Sequence, residues 1–292
     1  MIYVNITGGL GNQLFQYAFA KRIQKETGQE ITLNIYELST YDFKRRYELD
    51  KFALTKYVCV SDDKLPWYVH RRNYISKVLR KIFPRFFWKM CLLNNSYVWY
   101  EETEMTIPAP KLNKDIYIGG YWQNYKYSID ALDELKKDYV LITQLEEKNK
   151  KLLESIKNSN SVCIHIRRGD YVGTDYEVCT KHYYEKAISS LMTKIQNPKF
   201  YVFSDDIEWA KVNISCKNRD VVFVEEHNSA EKDLWLMRNC RHFIISNSTF
   251  SWWAQYLGDF ANKVVYAPSQ WHKKIDGRDL YLENWNIINV IE

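Results

Sequence analysis

The stretch HIRRGDYVGTD, residues 165–175, follows the apolar run SVCI and concentrates charge at its end. A guanidinium offers a planar fork of donors that matches a diphosphate through two parallel hydrogen bonds. Arg167 and Arg168 are therefore candidates for holding a phosphorylated ligand. Successive side chains of a strand point to opposite faces. Cys163, His165 and Arg167 share one side, and Ile164, Ile166 and Arg168 share the other. Unless the strand bends, one arginine addresses the ligand and the other braces the loop, with Asp170 expected to pair with an arginine. The plain alternative is a structural Arg–Asp network. His165 reads either as a hydrogen-bonded core residue or as a catalytic one.

Three more stretches have the right residue types. In SNSTFS, residues 246–251, Ser248 or Asn247 is a good N-cap, and the helix that follows exposes first-turn N–H groups and a partial positive charge to an anion. Ser248, Thr249 and Phe250 are candidate contacts of the same ligand. GGLGNQ, residues 8–13, is close to the dinucleotide fingerprint, but Leu14 replaces the third glycine and no acid follows at the expected distance, which excludes an NAD site. Gly9 and Gly11 permit close backbone approach, and Asn12 and Gln13 supply amides at a helix start. Ser204, Asp205 and Asp206 close a further strand; the adjacent acids point apart, which suits hydrogen bonding to a guanine edge or ribose better than a shared metal ion. No metal site is expected, and the dispersed cysteines argue against zinc.

These stretches need strands to present them. IYVNITG, a glycine turn, a helix through NQLFQYAFAKRIQKETG and the strand ITLNIY make a βαβ start, with Gly28 as the helix stop. From residue 161 short apolar strands (SVCIHIRR, KFYVFSDD, DVVFVEE, HFIISN, KVVYAP) alternate with helices, the pattern of a parallel sheet covered on both faces. Ligands of such sheets bind beyond the carboxyl ends of the strands, where all four stretches fall. A charged helix near 145–158 marks the boundary between domains 1–150 and 151–292. Residues 67–93 carry seven Arg or Lys and no acid, and Pro84 breaks any single helix there. They read as a solvated basic face or, through residues 71–89, as a peripheral contact with an anionic membrane surface.

The 292 residues, 46 % of them apolar, can bury one large core or two, and a net charge of +5 is too small for a nucleic-acid binder. The N-terminus has no signal-peptide pattern, no run reaches membrane-spanning length, and the spaced cysteines fit reduced thiols, so a cytoplasmic location is expected. The 23 Tyr and 10 Trp suit a sugar or nucleoside ligand as well as a core. Tyr121 and Trp122 of GGYWQNY are candidate acceptor contacts.

GGLGNQLFQYA, HIRRGD and SNSTFSWWAQYL, in this order, resemble the α-1,2-fucosyltransferases of glycosyltransferase family 11 in their bacterial form, over nearly the whole chain. The resemblance implies an α/β fold of the GT-B type: two Rossmann-like domains facing a cleft, the first on the acceptor side and the second binding GDP-fucose. It implies inverting, metal-independent transfer of L-fucose to the 2-hydroxyl of a terminal galactoside in glycan or surface-polysaccharide synthesis, with no cofactor beyond the donor. It also implies that Arg167 holds the donor diphosphate. HIRRGDYVGTD is similar as well to a segment of the core α-1,6-fucosyltransferases, which implies Asp175 as the base; Tyr171 stands where those enzymes carry an assisting basic residue. The alternatives are transfer from another GDP-sugar and a non-catalytic nucleotide-sugar or glycan-binding module.

Overall fold

The computed structural model describes residues 1–36, 38, 45–54, 58–60, 65–70, 73–100, 114–216, 220–224 and 228–291. Arg71 and Arg72 of the basic stretch, and the last two residues of DVVFVEE, lie outside them. The chain divides into two compact units, Met1–Tyr139 and Val140–Glu292. The boundary drawn from the sequence at 150 falls inside a helix of the second unit, Glu147–Lys157; the division comes earlier, at Tyr139.

In the first unit β1 (Ile2–Asn5), β2 (Ile31–Asn34), β3 (Val58–Val60), β4 (Ser96–Tyr100) and β5 (Asp115–Gly119) form one parallel sheet in the order β3-β2-β1-β5-β4. Helix α1 (Leu10–Thr27) starts earlier than the glycine-rich sequence suggests, because Gly9 takes the N-cap position in extended backbone. Gly11, Asn12 and Gln13 are thus helical, not part of the turn. Gly28 ends the helix as expected, at φ +69°, its N–H donating to Gln24 O. Leu14, Tyr17, Ala18, Ala20 and Ile23 are buried, and so are Gln13, Phe15, Gln16 and Phe19 between them, so α1 is enclosed on nearly all sides. Helices α2 (Tyr74–Ile82) and α3 (Pro84–Leu93) are separate, with Pro84 at the first turn of the second. A short helix α4 (Leu132–Asp138) closes the unit.

The second unit opens with α5 (Glu147–Lys157) and contains β6 (Ser161–Ile166), α6 (Lys181–Lys194), β7 (Lys199–Ser204), α7 (Ile207–Asn213), β8 (Val221–Phe223), α8 (Ala230–Arg238), β9 (His242–Ile244), α9 (Thr249–Leu257), β10 (Val265–Pro268) and β11 (Asn286–Ile288). Its sheet is parallel, in the order β11-β10-β9-β6-β7-β8. Counted within the unit this is the 3-2-1-4-5-6 order of doubly wound folds, and it reverses between β6 and β9. Every residue of β6 is buried, as a central strand covered on both faces requires. Val162, Ile164, Tyr183, Tyr184, Leu191, Phe200 and Ile244 share its core. The aromatic helix α9 is interior, with Trp252 and Trp253 fully enclosed. Strand β11, half exposed and three residues long, has no apolar run to announce it. Among the described residues no helix is long and apolar enough to cross a membrane.

Candidate active site

β6 ends at Ile166, so the alternation expected for Arg167 and Arg168 stops there: the chain has already bent, and both arginines meet the acids that follow β7. Arg167 donates from Nε (2.8 Å) and Nη2 (2.7 Å) to Asp170 Oδ1 and from Nη1 to Asp205 Oδ2 at 3.0 Å. Its side chain keeps 27 % of its surface in solvent and lies 5.7 Å from the Tyr171 ring centre. Arg168 is more enclosed. Its Nε donates to Asp206 Oδ2 at 3.1 Å, and its guanidinium covers the Trp209 ring at 4.3 Å. Arg168 is the brace, and Arg167 is the arginine that still faces water.

Asp205 and Asp206 organise this loop. Asp205 Oδ1 accepts from Arg168 N–H (2.8 Å) and Oδ2 from Gly169 N–H (3.1 Å). A Cβ on residue 169 would lie 2.9 Å from Asp205 Oδ2, which is why glycine stands there. Asp206 caps α7 by accepting from Trp209 N–H at 3.2 Å, and its own N–H donates to Ser204 Oγ. The acids point apart as expected, but both already have partners within the protein. Among the described residues no group of three His, Cys, Asp or Glu is placed to hold a metal ion.

Across the strand-order reversal lies the end of β9. Ser248 caps α9, accepting from Phe250 N–H at 3.3 Å. Thr249 opens the helix and Phe250 follows, its ring 5.5 Å from His165. His165 Nδ1 hydrogen-bonds Ser246 Oγ at 3.0 Å. The ring is 6 % exposed, and burial, helped by the Arg167 charge, pushes its pKa down to about 3. Such a neutral imidazole is a poor proton carrier at neutral pH and serves instead to tie β6 to the turn after β9. Tyr171, whose hydroxyl burial raises to about 12, makes a second tie by donating to Asn247 O at 3.4 Å.

Asn247 is the residue that sequence reasoning undervalued. It is not the cap but a hub: Nδ2 donates to Tyr176 O (2.9 Å) and Trp271 O (2.8 Å), and Oδ1 accepts from Cys179 Sγ. No local pattern signals contacts to residues so distant in the chain. Asp175, on the same loop as Tyr171, is 37 % exposed and paired with Lys274 Nζ at 2.7 Å. That hydrogen bond holds its carboxyl below the usual range.

In the first unit Gly8 turns at φ +75°, and a Cβ there would strike Asn12 Nδ2 at 2.7 Å. Gly9 and Gly11 flank the helix start. Asn12 Oδ1 accepts from Gln123 Nε2 at 2.9 Å. Gln13 is fully buried, donating to Gly8 O and Arg46 O and accepting from Glu48 N–H, so its amide clamps neighbouring loops. Of the aromatic candidates, Tyr121 is 37 % exposed, whereas Trp122 is core: 3 % exposed and stacked on Phe19 at 4.0 Å. Asn5, on β1, places both carboxamide heteroatoms in the interior with no hydrogen-bond partner among the described residues, beside a cavity of about 10 Å³ lined by Tyr3, Asn34 and Tyr117. That volume is about one water molecule's.

The family model of glycosyl transferase family 11 matches residues 1–289. An α-1,2-colitosyltransferase of Escherichia coli is 31 % identical over 297 residues, 98 % of each chain. Galactoside α-(1,2)-fucosyltransferase 2 of Oryctolagus cuniculus is 26 % identical over 97 % of this chain and 75 % of its own. A solved NodZ α-1,6-fucosyltransferase, co-crystallised with GDP, superposes with a TM-score of 0.55 over 87 % of this chain and 91 % of its own, at 14 % identity. The fold is GT-B, two α/β units each built on a parallel sheet. With the family model spanning the chain and a relative alike over its full length, this protein belongs to glycosyl transferase family 11.

Proposed function

We propose that this glycosyltransferase moves L-fucose from GDP-fucose to the 2-hydroxyl of a terminal galactoside, inverting the anomeric centre, in the synthesis of a glycan or surface polysaccharide. One observation carries the reading. A partly exposed arginine and a capped helix start flank the carboxyl ends of β6 and β9, where the sheet order reverses. The GDP in the NodZ structure supports a guanosine diphosphate donor.

The acceptor oxygen attacks the anomeric carbon while the bond to the β-phosphate oxygen breaks, and that oxygen leaves with the electron pair. Charge grows on the diphosphate, and Arg167 with the helix-start donors at Ser248 and Thr249 meets it where it develops. An arriving diphosphate repels both carboxylates on Arg167. Asp205 is pinned by two backbone N–H groups, whereas Asp170 keeps 48 % of its side chain in solvent, where a displaced carboxylate is rehydrated. The diphosphate therefore replaces Asp170 on Nε and Nη2, and Asp205 keeps the guanidinium aimed. Asp175 takes the acceptor proton.

The test incubates the protein with GDP-fucose and a panel of β-galactosides, with and without chelator, and reads product linkage by NMR. α-1,2-linked fucose formed equally in both conditions is expected. A second donor is favoured by the colitosyltransferase relative, since colitose is fucose without its 3-hydroxyl. GDP-colitose used in preference to GDP-fucose would replace the donor assignment, and GDP bound with no sugar transferred would replace the enzyme by a binding module.

A further inference from the structure

From Leu65 to Tyr100 the chain holds no Asp or Glu. Helices α2 and α3 sit on the first unit by a narrow side. Ser76 is buried and donates to Tyr68 O at 2.8 Å, and Phe87 and Cys91 are fully enclosed with Tyr68, Val98 and Tyr117. Leu79, Trp88 and Met90 pack against the same cluster, and the outer side of both helices is unusually apolar. Ile75 is 59 % exposed, Ile82 61 %, Phe86 61 % and Leu93 78 %. Residues seven apart lie on one side of a helix. Ile75 with Ile82, and Phe86 with Leu93, thus form an outward ridge on each helix, and the exposed Lys77, Lys81, Arg85 and Lys89 share the solvent-facing surface of the two helices.

We propose that α2 and α3 form a docking surface for an anionic lipid bilayer, with the four apolar side chains entering the headgroup–acyl boundary and the four cations at the lipid phosphates. Exposed apolar side chains of this size cost solvation in water and gain it in a bilayer interface. The charge selects among occupants. A second copy of this chain would bring the same cations against its own, whereas an anionic headgroup layer complements them. Each cation near such a surface favours binding by about fivefold, so four together predict a preference of a hundredfold or more for anionic over neutral lipid. None of these residues is assigned to the reaction, and the proposal does not depend on the donor or the acceptor.

Co-sedimentation of the full chain with vesicles tests it. The protein is expected to pellet with phosphatidylcholine–phosphatidylglycerol vesicles at about 0.1 M salt, to leave them at about 0.5 M, and to ignore phosphatidylcholine alone. Lys77→Glu, Lys81→Glu, Arg85→Glu and Lys89→Glu together should abolish pelleting. Ile75→Ser, Phe86→Ser and Leu93→Ser together should weaken it at least tenfold with the charge unchanged. All seven side chains are exposed, and an unchanged melting temperature confirms that the variants fold. No pelleting of the unaltered protein with anionic vesicles overturns the proposal. So does binding that survives charge reversal, or a concentration-dependent dimer in sedimentation velocity that the serine variant abolishes.

Discussion

Asp205→Asn isolates the acid that aims Arg167. The carboxylate accepts at both oxygens, from Arg168 N–H at 2.8 Å, from Gly169 N–H at 3.1 Å and from Arg167 Nη1 at 3.0 Å. An asparagine keeps the shape but has one acceptor oxygen, and its NH2 must then face a donor. A hydrogen bond to a charged group contributes about 1.5–3 kcal/mol, and water reaches this side chain and keeps part of the set satisfied, so a total loss the size of one such bond, about 1.5–3 kcal/mol, is expected. In a protein of this size that lowers Tm by roughly 3–10 °C. Arg167 loses its fixed partner, and GDP affinity should fall about tenfold, measured by titration calorimetry. Gly169→Ala acts on the same contact, since its Cβ would lie 2.9 Å from Asp205 Oδ2. The double variant should therefore melt close to the worse single one. A Tm within about 1 °C of the parent with unaltered GDP binding, or full additivity of the two changes, would refute the reasoning.

Arg167→Ala should lower transfer by roughly a hundredfold or more, and Arg167→Lys should recover only part because the fork is lost; steady-state kinetics with GDP-fucose checks both. Lys274→Met should move the acidic limb of the pH–rate profile upward, because the lysine that holds Asp175 below the usual carboxylate range is gone; an unmoved limb removes Asp175 as the base. His165 has a folded value of about 3, below the ordinary one near 6.5, so the unfolded chain takes the proton first and stability falls as pH drops from 6.5 toward 3. By pH 5 that loss is about 2 kcal/mol, and His165→Asn should flatten the dependence of Tm on pH over this range. Asn5→Leu removes two buried polar atoms that have no hydrogen-bond partner among the described residues and should raise Tm; a fall would show that the carboxamide is satisfied.

What could be read before folding was what local pattern encodes. The apolar strands from Ser161 onward and the helices between them reappear in the expected order, the strands shorter than the runs that announced them, since a strand covered on both faces has to be apolar throughout. Pro84 and Gly28 acted as the breaks their backbones dictate. The misreadings have one physical origin. Trp122 stood with Tyr121 as a candidate acceptor contact, yet it packs on Phe19, because an aromatic side chain carries no mark of which surface it will meet. Gln13 looked like a ligand donor, yet Arg46 and Glu48 use it up. Asp205 clamps a loop 37 residues away along the chain, a pairing visible only once β6 and β7 lie side by side.

The ties between the two strand ends join residues 81 and 76 positions apart, His165 to Ser246 and Tyr171 to Asn247. A nascent polypeptide therefore passes through most of its synthesis without the proposed diphosphate site, and closing such long loops comes late in folding. On that proposal assembly of the site becomes all-or-none: a product cut short before the ninth strand lacks the half built by α9, and recovery of nucleotide binding after denaturation would report that the central strand crossing is complete.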